Sequence, residues 1–213
     1  MTDKRQLIKI CGITRQQDAD VCLAAGVDMT GFIFHESSPR NIQPGAAAAI
    51  ETGTALRVGV FVRQEQQQVL EIMRRAKLDL AQLCGDQDRA FCRAVGAARV
   101  IRVFWPERYK MRAALEDELS DYEQSMSYVL LDAGLSGGGH GRTQDFGLLT
   151  GLDSPVPWLL AGGLGVDNLA RAMGQCTPSG FDLNSGLESA PGVKDAELVR
   201  RAVALIRNAG NEQ

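Results

Sequence analysis

The chain has 213 residues, 45% hydrophobic and 23% charged, with a formal net charge of -3. These are ordinary values for a globular protein long enough to bury a substantial core. The weak negative charge excludes a global basic field that would gather nucleic acid or an anionic membrane, so any phosphate site has to be local, made from a few backbone amides.

The five cysteines, Cys11, Cys22, Cys84, Cys92 and Cys176, are odd in number and form no CxxC pair. That argues against a disulfide framework and for a reduced, cytoplasmic setting. His35 and His140, the two histidines, fall in no zinc-ligand spacing. Met1 to Gln6 is polar and lacks a signal-peptide core, and no apolar run approaches the length of a membrane span. A cytoplasmic protein with no membrane partner is expected.

Eight apolar, β-rich runs punctuate the chain. They are Leu7–Ile13, Met29–Phe34, Arg57–Val62, Leu80–Leu83, Arg99–Trp105, Tyr128–Asp132, Trp158–Ala161 and Gly180–Leu183. Successive runs lie roughly 20 to 30 residues apart, the length of a strand with its crossover helix. Helical spacing fills the gaps at 15–25, 64–76, 86–95, 108–124, 166–173 and 195–206, with weaker patterns at 45–51 and 146–152. Gly26, Gly96 and Gly174 stand where helices should stop. The strands are near-continuously apolar rather than alternating, the mark of parallel strands covered on both faces. The expected fold is one α/β domain over 1–213, a (β/α)8 TIM barrel preceded by a polar extension at 1–6. An open doubly wound sheet would more often carry Gly-x-Gly-x-x-Gly after its first strand, and this chain has Cys11-Gly12-Ile13-Thr14 there.

In such barrels chemistry sits where strands end. Strand 1 ends at Cys11. A free cysteine most often packs as a small hydrophobe, but a thiol at the catalytic face can also react. Arg40 lies in the loop after strand 2, where its fork suits a carboxylate. Strand 4 ends at Cys84, and Asp132 closes strand 6. Aspartate often serves as a turn or N-cap residue; desolvated at an apolar mouth it would instead be a general acid near neutral pH. The glycine-rich stretch 137–142, which includes Gly141, reads as a connection, a lid or part of an anion site. Gly162-Gly163 after strand 7 and Asn184-Ser185-Gly186 after strand 8 fall where these barrels bind phosphate, with the N-terminus of a short extra helix contributing.

These segments together resemble the phosphoribosylanthranilate isomerase family of tryptophan biosynthesis. The resemblance is carried by Lys9-Ile10-Cys11-Gly12-Ile13-Thr14, Gly31-Phe32-Ile33-Phe34, Ser38-Pro39-Arg40 and Val58-Gly59-Val60-Phe61-Val62. It continues through Gln82-Leu83-Cys84-Gly85, Leu130-Leu131-Asp132, Gly138-Gly139-His140-Gly141, Leu160-Ala161-Gly162-Gly163 and 182–188, then Gly192-Val193-Lys194-Asp195. It spans nearly the whole chain in the family's order. It implies the Amadori rearrangement of N-(5-phosphoribosyl)anthranilate, a small phosphorylated substrate, with no cofactor or metal. By the same resemblance Asp132 is the general acid that opens the ribose ring and Cys11 the general base at the adjacent carbon. Arg40 holds the anthranilate carboxylate, and Gly163 with Ser185-Gly186 grips the phosphate.

The base needs thiolate character, which positive charge such as Lys9 would favour unless strand alternation turns Lys9 away. Three positions depart from the family's usual residues: Cys84 stands for histidine, His140 for threonine and Asn184 for serine. Two other readings stay open at this point, an isomerase or epimerase of another sugar phosphate and a non-catalytic barrel that binds a phosphorylated ligand.

Overall fold

Eight parallel strands close on themselves in the computed structural model, which describes residues 5–133 and 146–209. They are β1 (Leu7–Ile10), β2 (Met29–Ile33), β3 (Leu56–Phe61), β4 (Leu80–Leu83), β5 (Val100–Phe104), β6 (Tyr128–Asp132), β7 (Trp158–Ala161) and β8 (Gly180–Leu183). Each pairs with the next, and β8 returns to β1 with Leu7 opposite Gly180 and Lys9 opposite Asp182. All eight fall on the apolar runs of the sequence. Two layers explain why those runs do not alternate. Met29, Val58, Leu80, Ile101, Leu130 and Leu159, one from each of β2 to β7, fill the barrel interior. Neighbours such as Ile8, Phe61, Phe181 and Leu183 point outward and are buried under the helices.

The helices are α1 (Gln16–Ala25), α2 (Pro44–Ala49), α3 (Gln66–Arg75), α4 (Arg89–Val95), α5 (Arg112–Tyr122), α6 (Leu169–Gln175) and α7 (Ala196–Ala209). Gly26 ends α1 in the left-handed conformation, at φ 74°. The Asp88 carboxylate accepts from the Phe91 N–H at 2.7 Å and sets the start of α4 at Arg89, later than the 86 that spacing suggests. α5 also starts late, because Pro106–Arg108 form a separate 3-10 turn.

Three expectations fail locally. The segment 146–152 is not an α-helix; it makes only a 3-10 turn at Gly147–Leu149, and Gly151 at φ 68° breaks the chain away. Gly174 does not stop α6, which runs through it to Gln175. No short helix follows β8 either. A hairpin of β9 (Glu188–Ala190) and β10 (Val193–Lys194) stands there, between β8 and α7. Among the described residues no helix is long and apolar enough to cross a membrane.

Phe61 is buried in the outer layer and stacks on Phe34 with ring centroids 5.5 Å apart. Phe61→Ala is expected to cost about 3–5 kcal/mol in urea unfolding, the range for a truncated core aromatic, and a loss below about 1 kcal/mol would contradict this packing.

Candidate active site

Period-two alternation carries the interior set upward to the mouth. Leu7 packs with the interior cluster, so Lys9 and Cys11 follow it on the inner side of β1. Residues two apart share a face, and Lys9 is therefore not turned away from Cys11. By the same count Gly31 follows Met29, Cys84 follows Gln82, and Asp132 follows Leu130. Gly31 is glycine for a steric reason. A Cβ there would sit 2.8 Å from the Cys11 sulfur and 3.0 Å from its Cα. Gly12 combines a φ of 78° with close approach, since a Cβ would lie 2.7 Å from Asn184 Oδ1 and 2.8 Å from Arg40 Cδ.

Beneath Cys11 lies a buried ion pair. Lys9 Nζ donates to Asp182 Oδ1 at 2.8 Å, with the lysine side chain 0% exposed. Burial by itself would lower the Lys9 pKa, but Asp182 and the neighbouring sulfur of Cys11 outweigh it and hold the ammonium above its ordinary value. Burial pushes the Cys11 thiol up, while Lys9 and Lys194 pull it down and Asp182 adds to the upward push. Burial is the largest of these influences on the thiol. Cys84, half-buried, accepts from Gln82 Nε2 at 3.4 Å; burial pushes its pKa up to about 12. It lies within the electrostatic reach of both Cys11 and Asp132. Asp132 itself is half-buried at the end of β6, in register with Ala161 of β7.

A second charged cluster lines the rim between the loop after β2 and the hairpin. Arg40 grips Glu188 with two bonds, Nε to Oε1 at 2.8 Å and Nη2 to Oε2 at 2.6 Å. Lys194 Nζ bonds the same carboxylate at 2.8 Å and reaches Asn184 Oδ1 at 2.9 Å and the Asn184 carbonyl at 3.1 Å. Thr14 Oγ1 ties the loop after β1 to the hairpin through the Gly192 carbonyl at 3.0 Å. Against the burial that would raise it, Glu188 is held below the usual carboxylate range by Arg40 and Lys194. Burial lowers the Lys194 pKa, and Glu188 limits the drop.

The loops after β7 and β8 lie against each other. Gly165 bridges Gly186, and a Cβ at Gly186 would collide with the Leu164 carbonyl. Asn168 braces the first loop, its amide nitrogen donating to the Gly163 carbonyl and its oxygen accepting from the Gly165 N–H, both at 2.9 Å. Gly162, Gly163, Asn184, Ser185 and Gly186 thus meet on one rim, with Asn184 joined to Lys194. Gly141 and His140 lie outside the described residues. Among the described residues no cluster of His, Cys, Asp and Glu could hold a metal ion.

Sequence reasoning missed Asp182, Glu188 and Lys194 as individual residues. Asp182 sits between Phe181 and Leu183 in a run that looks like any covered strand. Its one available signal was parity, because it faces the same interior as Asn184 two residues on.

A model of the N-(5'-phosphoribosyl)anthranilate (PRA) isomerase family matches residues 8–204. An N-(5'-phosphoribosyl)anthranilate isomerase of Desulfovibrio desulfuricans is 52% identical over 199 residues, covering 93% of this chain and 94% of the relative. The crystal structure of phosphoribosyl anthranilate isomerase from Thermus thermophilus superposes with a TM-score of 0.80 at 36% identity, over 96% of this chain and 99% of that one. A phosphoribosyl anthranilate isomerase in complex with reduced 1-(o-carboxyphenylamino)-1-deoxyribulose 5-phosphate gives a TM-score of 0.81 at 28% identity, over 95% of this chain and 99% of that one.

The rim cluster makes stability depend on acid. The folded pKa of Glu188 is depressed from 4.5, so its contribution is present above that value and is lost as pH falls through the folded pKa. Thermal melts taken from neutral to acid pH should fall less steeply for Glu188→Gln than for the parent chain. Parallel curves would contradict the ion-pair account.

Proposed function

This chain belongs to the N-(5'-phosphoribosyl)anthranilate isomerase family, and we propose that Cys11 and Asp132 are the general base and general acid of its reaction. The chain is an isomerase of tryptophan biosynthesis. It turns N-(5'-phosphoribosyl)anthranilate into 1-(2-carboxyphenylamino)-1-deoxyribulose 5-phosphate. The readings of the sequence as a different sugar-phosphate isomerase or epimerase, or as a non-catalytic barrel, give way to that match.

The rearrangement needs one proton given and one taken. Asp132, as general acid, donates a proton to the ribose ring oxygen. The bond from that oxygen to C1 breaks, and the anilino nitrogen lone pair forms an iminium. Cys11, as thiolate, removes the proton from C2 and gives an enolamine, which tautomerises to the ketone. The order answers the raised pKa of the resting thiol. Ring opening creates a cation one bond from the C–H that Cys11 attacks, and a cation at that distance favours the thiolate. The observation that supports this reading is the convergence of inward residues: Cys11 directly follows β1, Asp132 ends β6, and both act electrostatically on Cys84.

Arg40 is proposed to hold the anthranilate carboxylate. Glu188 engages Nε and Nη2 and is also bonded to Lys194, so the guanidinium is oriented before substrate arrives. The phosphate is proposed to sit at Gly162, Gly163, Asn184, Ser185 and Gly186. With a net charge of -3, attraction has to come from local N–H groups and from Lys194 behind Asn184.

With substrate generated in situ and its fluorescence followed, Cys11→Ala and Asp132→Asn should each lower kcat by about 10²-fold or more, the scale of a lost general acid or base. Near-normal kcat in either variant would overturn that residue's role.

A further inference from the structure

Lys9 has no exposed surface, faces the barrel interior, and belongs to none of the steps above. Its pairing is fixed twice. The backbone register sets it opposite Asp182, and its ammonium donates to that carboxylate at 2.8 Å. A buried pair of this kind is a poor device for stability alone, because apolar side chains of similar volume fill such a space at least as well. Its position supplies another reason. Lys9 lies two residues below Cys11 on the same inward face, and its buried ammonium acts electrostatically on the thiol.

We infer that Lys9, fixed by Asp182 at the closing seam of the barrel, is a positioning residue whose ammonium stabilises the Cys11 thiolate. This rests on the reading of Cys11 as the base. Lys9 touches no substrate and transfers no proton. It keeps its charge and offers a permanent cation to the sulfur. Among the described residues, Asp182 on β8, Lys194 on β10, Arg40 after β2 and Cys84 after β4 also act electrostatically with Cys11. Lys194 and Arg40 are both committed to Glu188. Lys9 is the cation nearest in sequence to the thiol, and it is fully buried on the same inward face.

The test is the pH titration of the Cys11 thiolate by its ultraviolet absorbance, taken as the difference between each protein and the same protein carrying Cys11→Ala. This reads the sulfur without turnover. Lys9→Met should raise the midpoint by about 1 pH unit or more, the effect of removing an adjacent opposite charge. Asp182→Asn should lower it. Lys9→Met with Asp182→Asn leaves no unpaired buried charge and so guards against loss of folding; it should also raise the midpoint. In turnover assays at neutral pH the Lys9 variants should lose about tenfold in kcat, because a midpoint higher by about 1 pH unit leaves about a tenth of the thiolate. KM should change little, and activity should recover as pH rises. A midpoint that stays put in both Lys9 variants, or moves the same way in Lys9→Met and Asp182→Asn, overturns the inference. Normal turnover in Cys11→Ala would instead overturn the reading of Cys11 as base while leaving the titration result intact.

Discussion

The pair of Lys9 and Asp182 joins the first strand of the barrel to the last. A closed sheet has to meet itself in one register, and a slip of one residue would send every inward side chain outward. Here a slip would drive the Lys9 ammonium into the apolar layer beneath the helices, where Ile8 and Phe181 now pack. The desolvation of two charges is a heavy cost, offset only when the pair forms with good geometry. The seam is reinforced by backbone bonds on either side, Leu7 N–H to the Ser179 carbonyl and Cys11 N–H to the Leu183 carbonyl, both 2.8 Å. Register and chemistry are therefore the same constraint. The alignment that satisfies Lys9 also sets Cys11 at the mouth beside Asn184.

From that seam the rim can be followed outward as a chain of dependence. Gly12 turns the backbone away from β1 and leaves space for Arg40 and Asn184. Asn184 bonds Lys194, Lys194 bonds Glu188, and Glu188 orients Arg40. The proposed carboxylate grip and the proposed phosphate rim thus share one set of charges, so the two ends of a substrate would be held by a single braced unit. The β9–β10 hairpin is what brings Glu188 and Lys194 to it.

Much of this was legible in the chain itself. The eight strands could be read because both faces of each are covered, which removes alternation and leaves plain apolar runs. Cys11, Asp132 and the paired glycines stood out because they interrupt those runs at the ends where loops begin. What stayed hidden has physical causes. A lysine or aspartate inside a strand, as at Lys9 and Asp182, is indistinguishable from a surface residue until its partner strand is known, and that partner is 173 positions away. The hairpin was missed because β10 has only two residues, too few for any periodicity. The helix expected at 146–152 failed because Gly147 and Gly151 weaken a segment barely two turns long. Gly174 showed the reverse, an exposed glycine carried inside a helix whose Leu169 and Ala172 are buried.

Catalysis as proposed requires a sulfur and a carboxyl to face one sugar from the ends of β1 and β6. The most direct measurement is a crystal structure of this protein with the reduced product analogue bound. The predicted result places C2 of the sugar within about 3–3.5 Å of the Cys11 sulfur, the distance of a reacting pair. It also places the Asp132 carboxyl toward the former ring oxygen, the carboxyphenyl group on Arg40 and the phosphate between the loops after β7 and β8. A ligand bound with its C2 turned away from Cys11, or with its phosphate on Arg40, would contradict it.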